Sequence, residues 1–116
     1  INCGASEQAM LGIACGLALS GKVPFCYSIT SFLLYRPFEW IRNYLENERF
    51  GVKLVGSGME TDYKHDGFTH HCPELMKVLD CFPHIARHFP TKKEFVGSLV
   101  AAMVGSQGPD VLILRR

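Results

Sequence analysis

The sequence predicts an α/β fold, a three-layer sandwich with a mostly parallel sheet covered by helices on both sides. Three observations carry this expectation. Strand-like and helix-like segments alternate along the chain. The last strand candidate, residues 111–114 (VLIL), is apolar at every position, as strands buried on both faces are. The chain has 116 residues, 47% apolar and 20% charged, which is enough for one domain with a real core.

The elements follow in order. Ser6 is an N-cap candidate for a helix over residues 6–20, with Glu7 and Gln8 in its first turn. Met10, Ile13 and Leu17 supply apolar positions, and Ala5, Ala9, Gly12, Ala14, Gly16 and Ala18 keep the segment slim. Such a helix allows close backbone approach to a sheet or to another subunit. Gly21 ends it, as a glycine just past a helix commonly does. Residues 22–29 (KVPFCYSI) are rich in β-branched and aromatic side chains and read as a strand, with Pro24 near its start. A second helix is expected from Phe32 or Pro37 to Glu48, a proline being tolerated in a first turn. Phe38, Ile41, Tyr44 and Leu45 form its apolar face. Residues 52–56 (VKLVG) make a short strand, and residues 56–71 a long polar loop with three glycines. A helix over 73–81 and a candidate strand around Ile85 come next. Thr91 and Glu94 have capping-box spacing for a helix to about Val104, and a turn at 105–109 leads into the last strand.

Composition excludes several function classes. Twelve basic against eleven acidic residues leave a net charge of +1, without the basic excess of an electrostatic nucleic-acid binder. No apolar run approaches the ~20 residues of a membrane span. The five cysteines (Cys3, Cys15, Cys26, Cys72, Cys81) are odd in number and contain no C-x-x-C pair. That argues against a disulfide framework or a zinc ribbon, and for a reducing, cytoplasmic setting. The chain opens at Ile1, so we expect a piece of something longer.

Three groups of residues could carry chemistry. Glu7 sits where a helix dipole stabilises a carboxylate, although first-turn capping is an ordinary explanation. Ile29, Phe32 and Tyr35 recur every three residues at a strand-to-helix junction, in a stretch that also holds Phe25, Tyr27, Phe38 and Trp40; core packing explains these as readily. The third group is His65, Asp66, Gly67, Phe68, Thr69, His70, His71 and Cys72. Its histidines and cysteine lack a metal-ligand spacing, so no metal site is expected. Cys72 as a nucleophile lacks an orienting third group. A glycine-bearing loop with Asp and His beyond the end of a strand is, however, a fitting place to hold polar substrate groups. Phosphate-binding fingerprints are absent.

In combination, INCGASEQAMLGIACGLALSGKVPF and HDGFTHH resemble the pyrimidine-binding domain of the thiamine-diphosphate-dependent transketolase family. Its pattern is an E-Q ahead of a slim small-residue helix, a strand, an aromatic junction and a D-G-x-T-H loop. The likeness covers the chain to about Ile85, and transketolase and deoxyxylulose-phosphate synthase fit better than the 2-oxoacid dehydrogenases. It implies a thiamine-diphosphate-binding fold over residues 1–116, lacking a first strand and the separate pyrophosphate-binding domain.

The likeness also implies residue roles. Glu7 takes the place of the glutamate that hydrogen-bonds N1′ of the aminopyrimidine, favouring the imino tautomer that removes the thiazolium C2 proton. Such a carboxyl must share a proton, so a dry pocket raising its pKa is expected, with Ala5, Ala9 and Ala14 beside it. Phe32, flanked by Ile29 and Tyr35, matches the stacking positions, with Tyr27 the alternative. Asp66 and His70 match the sugar contacts, His70 also as a catalytic residue and His71 as a further contact. Ile29 and Phe68 depart from the residues usual there.

The family holds diphosphate and Mg²⁺ through a G-D-G…N motif on another domain, and no G-D-G occurs here. The resemblance therefore implies half an active site. A pyrophosphate-binding domain or subunit would complete it, in a homodimer or heterotetramer that acts on sugar phosphates and binds neither nucleic acid nor membrane. Two competing readings are a non-catalytic assembly or regulatory module of the same fold, and a β subunit of a 2-oxoacid dehydrogenase.

Overall fold

A computed structural model describes all residues, Ile1–Arg116. Four strands, β1 (Phe25–Ile29), β2 (Lys53–Ser57), β3 (Ala86–His88) and β4 (Asp110–Leu114), form one sheet in the order β1-β2-β4-β3, every pair parallel. The central strands show why the sheet needs cover on both faces. Asp110 through Ile113 are buried without alternation, and so are Lys53 and Leu54. Only a strand packed from above and below buries consecutive side chains, because neighbours point to opposite faces. The edge strands β1 and β3 are correspondingly more open.

Helix α1 (Glu7–Leu19) buries Leu11, Ala14 and Cys15 into the core. Its small residues have a specific use at Gly12, where an added Cβ would lie 3.3 Å from the indole of Trp40. Ser6 makes no side-chain cap, contrary to expectation; the residue is exposed and the helix simply opens at Glu7.

The second expected helix is three pieces. Helix α2 (Thr30–Tyr35) follows β1 directly, α3 (Phe38–Trp40) restarts after Pro37, and residues Ile41–Asn47 continue as a π-helical turn. Proline has no N–H to donate, so α2 ends before it and α3 starts anew beyond it. The remaining boundaries lie close to those expected. The strands are shifted by one to three residues, and α4 (Leu75–Leu79) is shorter than the predicted 73–81. The capping box at Thr91 and Glu94 does not form. Both residues are exposed, Lys92 is extended, and a 3-10 turn (Lys93–Phe95) leads into α5 (Val96–Gly105). The long loop folds into two 3-10 turns, Lys64–Asp66 and Phe68–His70, tied back by an antiparallel bridge between Glu60 and Cys72. No helix is long and apolar enough to cross a membrane.

Candidate active site

The carboxyl end of β1, the start of α1 and the 66–71 loop converge, as expected where ligands bind in parallel sheets. Glu7 is buried although it opens a helix. Its Oε1 accepts from the Ser28 hydroxyl at 3.0 Å, and its Oε2 from the Arg36 guanidinium at 2.7 Å. Strand pleating sets the first contact. Ser28 faces α1, whereas Tyr27 shares the opposite face of β1, is exposed, and is thereby set apart from Glu7.

Phe32, on α2, is half-buried. The guanidinium of Arg36 lies 4.1 Å above its ring centroid, and the His70 imidazole approaches edge-on at 4.8 Å. The His70 loop is held to α2 by the Ser31 hydroxyl, which donates to the Thr69 carbonyl at 2.9 Å. Tyr35 donates to Glu74 at 2.7 Å; burial and the Glu74 carboxylate both push its phenol pKa up. Ile29 ends β1 half-buried and offers no ring. Asp66 is exposed, 3.7 Å from the Arg116 guanidinium. His71 carries a buried Nε2 with no hydrogen-bond partner, in a cavity of about 310 Å³ that Phe32, Tyr35 and Glu74 also line. Glu7 and Phe32 thus meet at Arg36, His70 joins them through Phe32, and Asp66 makes none of these contacts.

The electrostatics of Glu7 depart from expectation. Burial pushes its pKa up, but the Arg36 guanidinium, a backbone N–H of the helix start and the Ser28 hydroxyl together outweigh burial and hold it below the ordinary carboxylate value. Of the three alanines expected beside it, Ala14 is buried and Ala5 and Ala9 are exposed. Burial raises the pKa of the Cys72 thiol, which removes it as a nucleophile.

Sequence reasoning missed Ser28, Arg36 and Glu74. Arg36 had a readable signal, because four residues beyond Phe32 on a helix is the spacing that stacks one side chain over another. Glu74 had none, being 39 residues from Tyr35.

The residues fit an aminopyrimidine. A buried carboxylate faces a position above an aromatic ring, and a planar cation already satisfies both at once. No cluster of three or more His, Cys, Asp or Glu side chains could hold a metal ion.

Comparison with known proteins finds one family over the whole length. Residues 1–116 match the family described as transketolase, pyrimidine binding domain. The chain is 32% identical over 108 residues to an uncharacterized 33.6 kDa protein in the fasciation locus of Rhodococcoides fascians, covering 93% of this chain and 35% of that protein. It is 31% identical over 109 residues to an apulose-4-phosphate transketolase subunit of Phocaeicola vulgatus, covering 94% and 35% respectively. Among solved structures, a split-gene transketolase described as an inactive beta4 tetramer superposes with a TM-score of 0.85 at 26% identity, over all of this chain and 37% of that one. The chain spans about a third of the length of the relatives it matches. It belongs to the transketolase pyrimidine-binding domain family.

Proposed function

We propose that this chain is the pyrimidine-binding half of a thiamine-diphosphate-dependent transketolase-like enzyme, transferring a two-carbon ketol unit between sugar or sugar-phosphate substrates. The observation that carries the reading is the buried Glu7 carboxylate and the Phe32 ring face bridged by one guanidinium, with the His70 imidazole 4.8 Å from Phe32. Packing alone requires none of these three to meet.

When bound, thiamine diphosphate supplies the acidic thiazolium carbon at which a ketose is cleaved and rejoined. Glu7 directs a shared proton at N1′ of the aminopyrimidine, and Ser28 fixes the carboxyl that does so. Phe32 presents the stacking face, with Ile29 and Tyr35 flanking it. His70 acts as an acid or base on substrate oxygens, and Asp66 and His71 bind substrate hydroxyls. A pyrophosphate-binding domain or subunit brings the diphosphate and Mg²⁺, in a homodimer or heterotetramer in the cytoplasm. The relative described as an inactive tetramer of β chains supports this need for a partner.

Native mass spectrometry of the natural gene product, purified with thiamine diphosphate and Mg²⁺, tests the reading. We expect an assembly that contains a pyrophosphate-binding domain, carries stoichiometric cofactor and transfers two-carbon units between ketose and aldose phosphates. A species that stays cofactor-free when offered pyrophosphate-binding partners would overturn it in favour of a non-catalytic module. Turnover of a 2-oxoacid alone would move it to the dehydrogenase β subunits.

A further inference from the structure

We propose that Arg36 is a latch on the aminopyrimidine site, a side chain that must leave both Glu7 and Phe32 before the cofactor ring can take its place. The proposal rests on the thiamine-diphosphate reading above and adds a residue that controls entry to the site.

Three observations support it. First, one guanidinium meets both groups that the ring has to meet, donating to Glu7 Oε2 at 2.7 Å while lying 4.1 Å above the Phe32 centroid. A guanidinium is flat, delocalised and donates in its own plane, so it imitates an aminopyrimidine that stacks by its face and bonds by its edge. Two flat groups cannot occupy one ring face. Second, Arg36 is the shared wall between two cavities. One, of about 280 Å³, is lined by Ala5, Ser6, Glu7 and Gln8; the other, of about 310 Å³, contains Phe32 and His71. Arg36 is the residue that the two cavities share, with Glu7 lining the first and Phe32 the second, so its side chain stands between the carboxylate and the ring. Third, the latch can open. The Arg36 side chain is 44% exposed, and Gln8 bonds its backbone carbonyl rather than its guanidinium, so the head can swing into water while the helix stays in place.

The latch also sets the protonation of Glu7. With Arg36 in contact the carboxyl is held in its ionised form, which accepts from a cation but has no proton to direct at N1′. Displacing the guanidinium removes its stabilisation of the charge and leaves burial opposed only by the Ser28 hydroxyl and a backbone hydrogen bond, so the pKa moves upward from its present lowered value. Stacking of the ring and protonation of Glu7 are thereby coupled through one side chain.

The test is thiamine diphosphate binding to the natural gene product with its partner domain and Mg²⁺ present, titrated from pH 5 to 9. The unaltered protein is compared with Arg36→Met and Arg36→Lys, and each variant's melting temperature serves as a check on folding. Arg36→Met is expected to bind about tenfold more tightly, because a partly exposed ion pair and a cation–π contact no longer have to be broken. Its binding should also hold to higher pH before weakening, since the Glu7 carboxyl keeps its proton longer. Arg36→Lys, which leaves a cation near Glu7 but nothing planar on Phe32, should keep the original pH midpoint and gain less affinity. Equal or weaker binding by a folded Arg36→Met, with the pH midpoint unmoved, would overturn the latch and leave the functional reading standing. Failure of the unaltered protein to bind the cofactor at any pH would overturn both.

Discussion

The ammonium of Lys53 and the carboxylate of Asp110 meet at 2.8 Å where β2 and β4 begin, both side chains sealed in the core. The Lys53 ammonium also lies within hydrogen-bond reach of the Ser106 hydroxyl and of the Ser106 and Gly108 carbonyls. Asp110 in addition contacts His88 Nε2 at 2.7 Å. One network thus ties three of the four strands and the turn before β4, at the end of the sheet opposite Ser28 and Glu7. Removing Lys53 leaves the buried Asp110 carboxylate with His88 and Ser106 but without its lysine cation. Lys53→Met is therefore expected to lower the stability of the domain by about 3–5 kcal/mol, measured by denaturant unfolding. A loss within about 1 kcal/mol would show that the pair is not desolvated as described.

The same network gives the domain an acid limit. Burial pushes the Asp110 carboxyl up, but hydrogen bonds from His88, Lys53 and Ser106 outweigh it and hold the pKa below the ordinary value. A carboxyl whose pKa is lower folded than unfolded binds fewer protons in the folded state. Its contribution is complete above the unfolded value near ~4 and is lost as pH falls through the folded one. Denaturation midpoints should accordingly drop below about pH 4, and drop less steeply in Asp110→Asn. Parallel curves for the two proteins would remove Asp110 as the cause.

Gly56 shows a packing constraint of a different kind. A Cβ there would stand 2.6 Å from Thr30 Oγ1 and 2.7 Å from Ile113 Cδ1. Thr30 is fully buried and donates to the Gly58 carbonyl at 2.5 Å, linking the start of α2 to the end of β2. Gly56→Ala forces that hydroxyl or the isoleucine to move and should cost about 1–3 kcal/mol. Because α2 carries Phe32 and leads into Arg36, the variant should also weaken cofactor binding. Thermal melts and a cofactor titration would read the two effects separately.

How far the sequence was legible depended on the range of each interaction. The parallel sheet could be read from VLIL and the alternating segments, because burial on both faces leaves a local signature. Position and spacing alone explained Glu7 as a helix cap and the aromatic junction as core; their resemblance to the transketolase family is what singled them out. The break at Pro37 was only half visible, since proline fits a first turn as well as it ends a preceding helix. Long-range pairing left no trace. Nothing local distinguishes Lys53 from a solvated lysine, and its partner is 57 residues away. The lowered pKa of Glu7 was missed for the same reason. Burial of the carboxyl could be anticipated, but not a cation 29 positions later folding back on it.

Glu7→Gln separates structure from chemistry at the site. The substitution keeps the shape and a hydrogen-bonding edge toward N1′ but removes the ionisable proton. Its cost in stability should be under about 1 kcal/mol, because the Arg36 guanidinium that loses its partner is already half in water. Cofactor affinity should change by no more than a few-fold, since stacking on Phe32 is untouched. Exchange of the thiazolium C2 proton in the assembled protein should instead slow by about 10²–10⁴, the usual worth of a positioned acid–base group. Proton NMR of the bound cofactor in deuterated water measures that rate directly. Exchange at the unaltered rate would show that Glu7 does not act on N1′, and with it the assignment of this carboxylate to the chemistry would fall.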